Sequence, residues 1–291
     1  MQIITLTSDL GLKDYYVASV KARLMQEIPK AQQLDISHQI KPFDIAEAAY
    51  QLRSCFHEFP QGTIHLVGVD CAPVLPNPST VGLSENQASY PTIVVFKQQF
   101  IVCNDNGFIG AFLRNDFPEA LYRYKAIENQ PQSWNFMLKF CFIDLAKKLA
   151  EGISIATFTE AVVKYKKAFV PIPVLEEHQI IGSVIHIDAF GNIITNIQKS
   201  DFDRFGAEVP FTISYQKRSD DIDVISSSYN AVSMGDRVAI FNESNFLEIA
   251  INRGANAGNG GADRLFGVRL GENVRVTFYP KGSVKNLSSL L

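Results

Sequence analysis

The chain has 291 residues, of which 46% are hydrophobic and 20% charged, a composition near the soluble globular average and far from that of disordered chains. Its length suggests two domains of about 150 residues each, or one large one. Lys and Arg total 27 and Asp and Glu 30, a formal net charge of −3 with His neutral, and positive charge gathers only at Lys164, Lys166 and Lys167. Nucleic-acid binding by counterion release is therefore disfavoured, because it needs a basic surface.

The opening residues Met1–Asp9 lack a basic leader region and meet an acid at Asp9, so no signal peptide is expected. No apolar stretch reaches the length of a membrane span. Cys55, Cys71, Cys103 and Cys141 lie far apart without a Cys-x-x-Cys pair, which reads as free thiols in a reducing cytoplasm rather than a zinc or redox site.

Along the first half, apolar strand patterns alternate with helical ones. Gln2–Thr7 reads as a strand, Asp14–Glu27 as a helix and Leu34–Ser37 as a second strand. Pro42 opens a helix running to about Phe56, with the proline tolerated in the first turn. Thr63–Val69 is a strand ending at Asp70. Pro91–Lys97 and Phe100–Asn104 are further strands, Gly107–Arg114 is a short helix and Asn135–Ala150 a longer one. This alternation predicts a layered α/β domain, with ligands at the carboxyl ends of its strands, where Ser8-Asp9, Asp70 and Asn104-Asp105-Asn106 fall.

Beyond about Glu151 the pattern changes to short β-rich runs at Ile180–Ile187, Val209–Tyr215, Arg237–Phe241, Leu247–Ile251 and Asn273–Tyr279. We expect an N-terminal α/β domain over residues 1–165 and a smaller all-β domain over 166–291, the boundary falling between Lys164 and His178.

Ser8-Asp9-Leu10-Gly11-x-x-Asp14 closes the first strand and opens the first helix. Its two carboxylates beside a glycine turn could accept a ribose diol, or could simply cap the helix and complement its dipole. Asp188-Ala189-Phe190-Gly191-Asn192, followed by Ile193-Ile194-Thr195-Asn196, sets polar side chains around an aromatic and a glycine. That suits a planar polar base, and equally an Asx-type turn between two strands. Arg253–Gly261 is neither a phosphate loop nor a dinucleotide fingerprint. His186-x-Asp188 lacks a third metal ligand nearby.

In order and spacing these motifs resemble the S-adenosylmethionine hydroxide adenosyltransferases, adenosine-forming hydrolases whose family also contains the fluorinase and chlorinase. The matching pieces are Ser-Asp-Leu-Gly-x-x-Asp at 8–14, Ile40-Lys41-Pro42-Phe43-Asp44-Ile45-x-Glu47-Ala48-Ala49, the strand ending at Asp70, Asn104–Gly107, Asp188–Asn196 and Leu247-Glu248-Ile249-Ala250. They span nearly the whole chain. The resemblance implies a Rossmann-like N-terminal domain, a C-terminal β-barrel and a cytoplasmic homotrimer with sites between neighbouring subunits. It also implies S-adenosylmethionine as substrate, with no metal and no further cofactor. By matched position, Asp9 would hold the ribose hydroxyls, Asp14 would support the site and Phe43 would stack near the nucleoside. Asp188 would meet the methionine amino group, Phe190 and Asn192 would belong to the adenine turn, Asn252 would fall in the segment covering the adenine, and Ile194 stands where the halogenases carry a tryptophan.

The reaction so implied is displacement at the ribose 5′ carbon by hydroxide, with methionine leaving. Water has a pKa near 15.7 and needs help losing its proton. Of the family's Asp, Arg and His trio, Asp70 matches the Asp, while Asn77 stands at the Arg position and Met137 at the His position. Replacement by His65 is not expected, since it alternates to the strand face opposite Asp70; His57 and Arg53 lie on a separate helix. The expected function is S-adenosylmethionine hydrolysis. The alternative is an inactive nucleoside-binding protein, and halide transfer is disfavoured because Asp70 would repel the anion.

Overall fold

In the computed structural model, which describes residues 2–75, 87–168, 170–206, 209–215, 221–254 and 260–280, the first apolar run forms β1 (Ile3–Ser8). There follow α1 (Tyr16–Glu27), β2 (Gln32–Ser37), α2 (Ile45–Cys55), β3 (Ile64–Gly68), β4 (Pro91–Phe96), β5 (Gln99–Asn104), α3 (Phe108–Leu113), β6 (Ala120–Arg123), α4 (Ile143–Ala150) and β7 (Glu160–Val162). Their sheet has the order β2-β1-β3-β5-β4-β6-β7. Strands β2, β1, β3 and β5 run parallel, and β4, β6 and β7 continue the sheet antiparallel.

Side-chain alternation sends Ile4, Leu6, Ile64, Leu66 and Val102 to one face, against Val20 and Leu24 of α1 and Phe142 before α4. On the other face Val67, Val69, Ile101 and Cys103 meet Ala48 and Leu52 of α2 and Phe108 and Phe112 of α3. A sheet covered on both faces carries near-continuous apolar strands, which is why these strands were legible in the sequence. The three parallel strands that end in Ser8, Gly68 and Asn104 bring their carboxyl ends side by side.

The second unit consists of β8 (Val174–Leu175), β9 (Gln179–Ile187), β10 (Ile193–Gln198), α5 (Lys199–Asp203), β11 (Phe211–Ser214), β12 (Arg237–Phe241), β13 (Phe246–Ile251), α6 (Ala262–Phe266) and β14 (Asn273–Phe278). It is a curled antiparallel sheet of order β11-β14-β9-β10-β13-β12, with β8 added beside β9. Bridges Ile213↔Ile222 and Ile225↔Ala239 tie one short segment to both edge strands. Its core gathers Ile180, Ile193, Ile213, Leu247, Ile249, Val274 and Val276. The two units divide as Met1–Val170 and Pro171–Leu291.

Several element boundaries differ from the sequence pattern for local reasons. The helix after Pro42 starts only at Ile45, because Asp44 Oδ1 accepts the Glu47 N–H at 3.0 Å as its cap. Pro42 and Phe43 therefore lie outside it, and Phe43 takes φ 68°. The expected long helix at Asn135–Ala150 breaks into a 3₁₀ turn at Pro131–Phe136, a π turn at Leu138–Phe142 and α4. Strands β6, β7 and β8 have four, three and two residues, too few to show a period.

A buried polar chain crosses the first sheet. Thr5 Oγ1 lies 2.7 Å from His65 Nδ1, His65 Nε2 lies 2.8 Å from Gln99 Oε1, and Gln99 Nε2 donates to the Phe56 carbonyl at 3.3 Å. His65 is fully buried, and burial holds its imidazole down to about 4. The unfolded chain titrates this group near 6.5, so between pH 6.5 and 4 the unfolded state binds a proton that the native state does not. Stability therefore falls as the pH drops through that window, by roughly 3 kcal/mol from this group. Denaturant unfolding of the wild type and His65→Gln at pH 7, 5.5 and 4 checks this: the variant should lose the slope whatever its starting stability, and equal slopes would assign the effect elsewhere.

Candidate functional site

The carboxyl ends of β1, β3 and β5 gather the polar groups of the first unit. Asp9, just past β1, accepts the Phe43 N–H at 3.0 Å and the Asp70 N–H at 3.4 Å, both on Oδ2. One carboxylate oxygen thus links the loops after β1, β2 and β3. Asn106 closes the other side, donating from Nδ2 to the carbonyls of Val69 at 3.2 Å and Asp70 at 2.8 Å and accepting the Phe108 N–H on Oδ1 at 3.1 Å. Asn104 is buried and donates to the Ala72 carbonyl at 3.0 Å. The side-chain amides of Asn104 and Asn106 in the Asn-Asp-Asn-Gly turn are the braces of the Asp70 loop.

Asp70 has φ 44°, left-handed for a residue with a side chain. Partial burial, and then the neighbouring Asp9 carboxylate, push its carboxyl above the ordinary aspartate value. A carboxylate at its ordinary proton affinity is a weak base for water. The fold makes it a better one. Cys71 beside it has its thiol pushed up to about 12 by burial, so it stands there as a thiol and not a nucleophile.

Behind Asp70, Gly68 faces Leu138 in the π turn. A Cβ at Gly68 would lie 2.6 Å from Leu138 Cδ2, so the absence of a side chain lets that turn pack against β3. Here Met137 is buried in the core, where the family pattern has its histidine. The substitutes weighed from sequence are occupied elsewhere. Arg53 binds Asp116 at 2.9 Å and the Phe112 carbonyl at 2.6 Å, His57 pairs with Glu58 at 2.9 Å, and His65 belongs to the buried chain described above. Asn77 lies outside the described residues.

Phe43 is exposed beside Asp9, together with Leu12 and Tyr15. Asp14 lies exposed in the turn before α1. The fold brings Asp9, Asp70 and Phe43 together, while Asp14 stays at the margin. Sequence reasoning passed over His38, which is buried and lies 2.7 Å through Nδ1 from Ser8 Oγ. Its partner is 30 residues away, and nothing local announces the pairing.

In the second unit, Asp188 organises the β9–β10 turn. Its Oδ1 accepts the N–H groups of Phe190 and Asn192, both at 2.9 Å, and its Oδ2 accepts Asn192 Nδ2 at 3.0 Å. The Asx-type turn is thus real. It leaves Phe190 exposed and Asn192 buried. A Cβ at Gly261 would fall 2.4 Å from the Phe190 carbonyl oxygen and 2.5 Å from Gly191 Cα, so this approach requires glycine. Asn252, just past β13, donates to the Val232 carbonyl at 2.8 Å and is thereby tied to the segment that leads into β12. Residues 255–259 of the Gly/Asn-rich segment lie outside the described residues.

On the next row, Ile194 sits between His186 on β9 and Glu248 on β13. Glu248 is buried and accepts the Tyr229 hydroxyl at 2.6 Å, while burial raises its carboxyl above the ordinary value. Among the described residues no cluster of three His, Cys, Asp or Glu side chains could hold a metal, and no helix is long and apolar enough to cross a membrane. A cavity of about 580 Å³ beside β6 and β7, lined in part by Leu121 and Val162, lies towards the far edge of the first sheet and shares no residue with the strand-end group.

Residues 4–159 match the model of the S-adenosylmethionine (SAM) hydroxide adenosyltransferase N-terminal domain, and residues 182–275 match that of the C-terminal domain. The chain belongs to this family. Among the relatives of this SAM hydroxide adenosyltransferase family member is the (R)-S-adenosyl-L-methionine hydrolase of Thermus thermophilus, 26% identical over 95% of this chain and all of that one. A fluorinase of Nocardia brasiliensis is 24% identical over 70% of this chain and 74% of its own. The crystal structure of an uncharacterised conserved protein from Thermotoga maritima shares the fold, with a TM-score of 0.78, 24% identity and coverage of 95% of this chain and all of that one.

Because like charge at Asp9 and a left-handed backbone both weigh on Asp70, Asp70→Asn should stabilise the family member at pH 7, by about 0.5 kcal/mol. Asn tolerates the same backbone and carries no charge. The gain should fade at acid pH, where a carboxyl of raised affinity is already protonated, and denaturant midpoints at pH 7 and 4 measure it.

Proposed function

We propose that the protein binds S-adenosylmethionine and hydrolyses it to adenosine and L-methionine. The observation that carries this reading is the Asp9–Asp70 pair at the carboxyl ends of β1 and β3, with an exposed aromatic, Phe43, beside it. Two carboxylates attract a sulfonium cation, and Asp9, oriented by two backbone donors, suits a ribose diol. In the proposed reaction a water oxygen attacks the 5′ carbon in line with the sulfur. The C–S bond breaks with its electron pair going to sulfur, and Asp70 takes the water proton. The sulfonium is already a good leaving group, so the protein's task is to orient the water and accept its proton. Asp70's raised proton affinity supports that role.

Asp188, Phe190 and Asn192 are assigned to the methionine and adenine ends of the substrate, with Asn252 covering the adenine and Asp14 supporting the ribose loop. This reading includes the finer features that the family resemblance implies, a Rossmann-like first domain, a β-barrel in the second and a homotrimer with sites between subunits, together with the cytoplasmic location that the scattered free thiols suggest. Light scattering on a sizing column tests the trimer.

A second reading, a nucleoside-binding protein without turnover, is favoured by Met137, buried at the expected histidine position. Thermal-shift titration with adenosine and S-adenosylmethionine, run beside chromatographic detection of adenosine, separates the two. Stabilisation without adenosine formation selects the second reading, and stabilisation by neither ligand defeats both. For the enzyme, Asp9→Ala should weaken ligand binding at least about tenfold, whereas Asp70→Ala should lower kcat by about 10² or more with little change in binding. Equal loss of binding in both variants would contradict these roles.

A further inference from the structure

Asp9 sits in a four-residue turn, and one residue just past the end of β2 holds both ends of it. His38 Nδ1 lies 2.7 Å from Ser8 Oγ, and the His38 carbonyl accepts the Gly11 N–H at 2.7 Å. Gly11 has φ 68°, so the turn doubles back at the point where that bond forms. Ser8 is fully buried and His38 almost so. The ring's other nitrogen, Nε2, stands 3.2 Å from Asp35 Oδ1 without the alignment of a hydrogen bond, and Asp35 is itself held by Lys21 Nζ of α1 at 2.8 Å. In space, Ser8, His38 and Asp35 stand in the order of a nucleophile relay. The full burial of Ser8 keeps any substrate from its hydroxyl, so the arrangement acts on the turn instead.

We propose that His38 is a positioning residue for the Asp9 carboxylate, setting through Ser8 the orientation in which Asp9 reads a ribose diol. The proposal rests on the assignment of Asp9 to the ribose hydroxyls. With Oδ2 bound to the Phe43 and Asp70 amides, the direction of the remaining Asp9 lone pairs is fixed by where the Ser8–Gly11 turn places its Cα. The Nδ1–Ser8 bond is the side-chain contact of His38 that reaches the Asp9 turn, so the proposal turns on it.

Asn places an amide near the position of Nδ1, and Gln reaches that of Nε2, so the two variants divide the contacts. Affinities for adenosine and for 2′,3′-dideoxyadenosine, which lacks the hydroxyls, are measured for the wild type, His38→Asn, His38→Gln and His38→Ala. His38→Gln and His38→Ala should lose about tenfold in affinity for adenosine and none for the dideoxynucleoside, while His38→Asn retains the wild-type preference. Equal weakening for both nucleosides, or identical behaviour of Asn and Gln, overturns the proposal. If the wild type shows no preference for the diol, it is the ribose assignment that fails. Positioning is then decided by amide exchange at Phe43, whose N–H Asp9 accepts: faster exchange in His38→Gln than in His38→Asn supports it, and no difference overturns it.

Discussion

A single carboxylate oxygen, Asp9 Oδ2, accepts backbone donors from the loops after two other strands, and the arrangement of the strand ends depends on it. The donors belong to Phe43 and Asp70, and both residues stand at positive φ. Left-handed backbone at residues with side chains is uncommon, and held conformations of this kind cost on the order of 1–3 kcal/mol each. The bonds to Asp9, together with the Asn106 bonds to the Val69 and Asp70 carbonyls, offset part of that cost. The result is that the Phe43 ring and the Asp70 carboxylate stand out from the strand ends instead of continuing into regular structure.

That convergence also explains Asp70's proton affinity. Its own amide is drawn to Asp9, so the two acidic residues cannot separate without giving up a backbone bond. Proximity raises the proton affinity of Asp70, in addition to the effect of burial. Two residues before it, Gly68 packs closely against Leu138 of the π turn, and Met137 is buried in the core. A buried methionine thus stands where the family pattern has a basic side chain.

Strands β1, β3, β4 and β5 of the first sheet were legible because burial on both faces leaves them apolar almost throughout, and the strand-end positions of Asp9 and Asp70 followed directly. Helix starts were less so. The Pro42 signal was overridden by Asp44, whose side chain satisfies the Glu47 amide and leaves Phe43 free to flip. Strand β7 has only three residues and owes its place to pairing with β6, a contact about forty positions away in sequence. His38 could not be read either, since a histidine's role depends on which distant group meets its ring. The Asp188 turn stood undecided between ligand and turn, and its side chain is in fact engaged by turn amides. That does not remove it from ligand binding, because Oδ2, which accepts only Asn192 Nδ2, has a second lone pair to offer.

Charge coupling at the strand ends bears on how the proposed reaction could run with one base. A sulfonium seated near Asp9 and Asp70 would oppose the effect of Asp9 and draw Asp70's proton affinity down, keeping it ionised and ready to accept. As the C–S bond lengthens, the positive charge on sulfur disappears into a neutral thioether. The field that held Asp70's affinity down then vanishes, and the effects of Asp9 and burial reassert themselves at the moment the attacking water must give up its proton. Proton uptake and leaving-group departure are thereby linked through the same pair of carboxylates. In such a scheme the base need not be strong beforehand; it has only to gain proton affinity along the reaction, which partial burial and a fixed neighbouring Asp9 allow it to do.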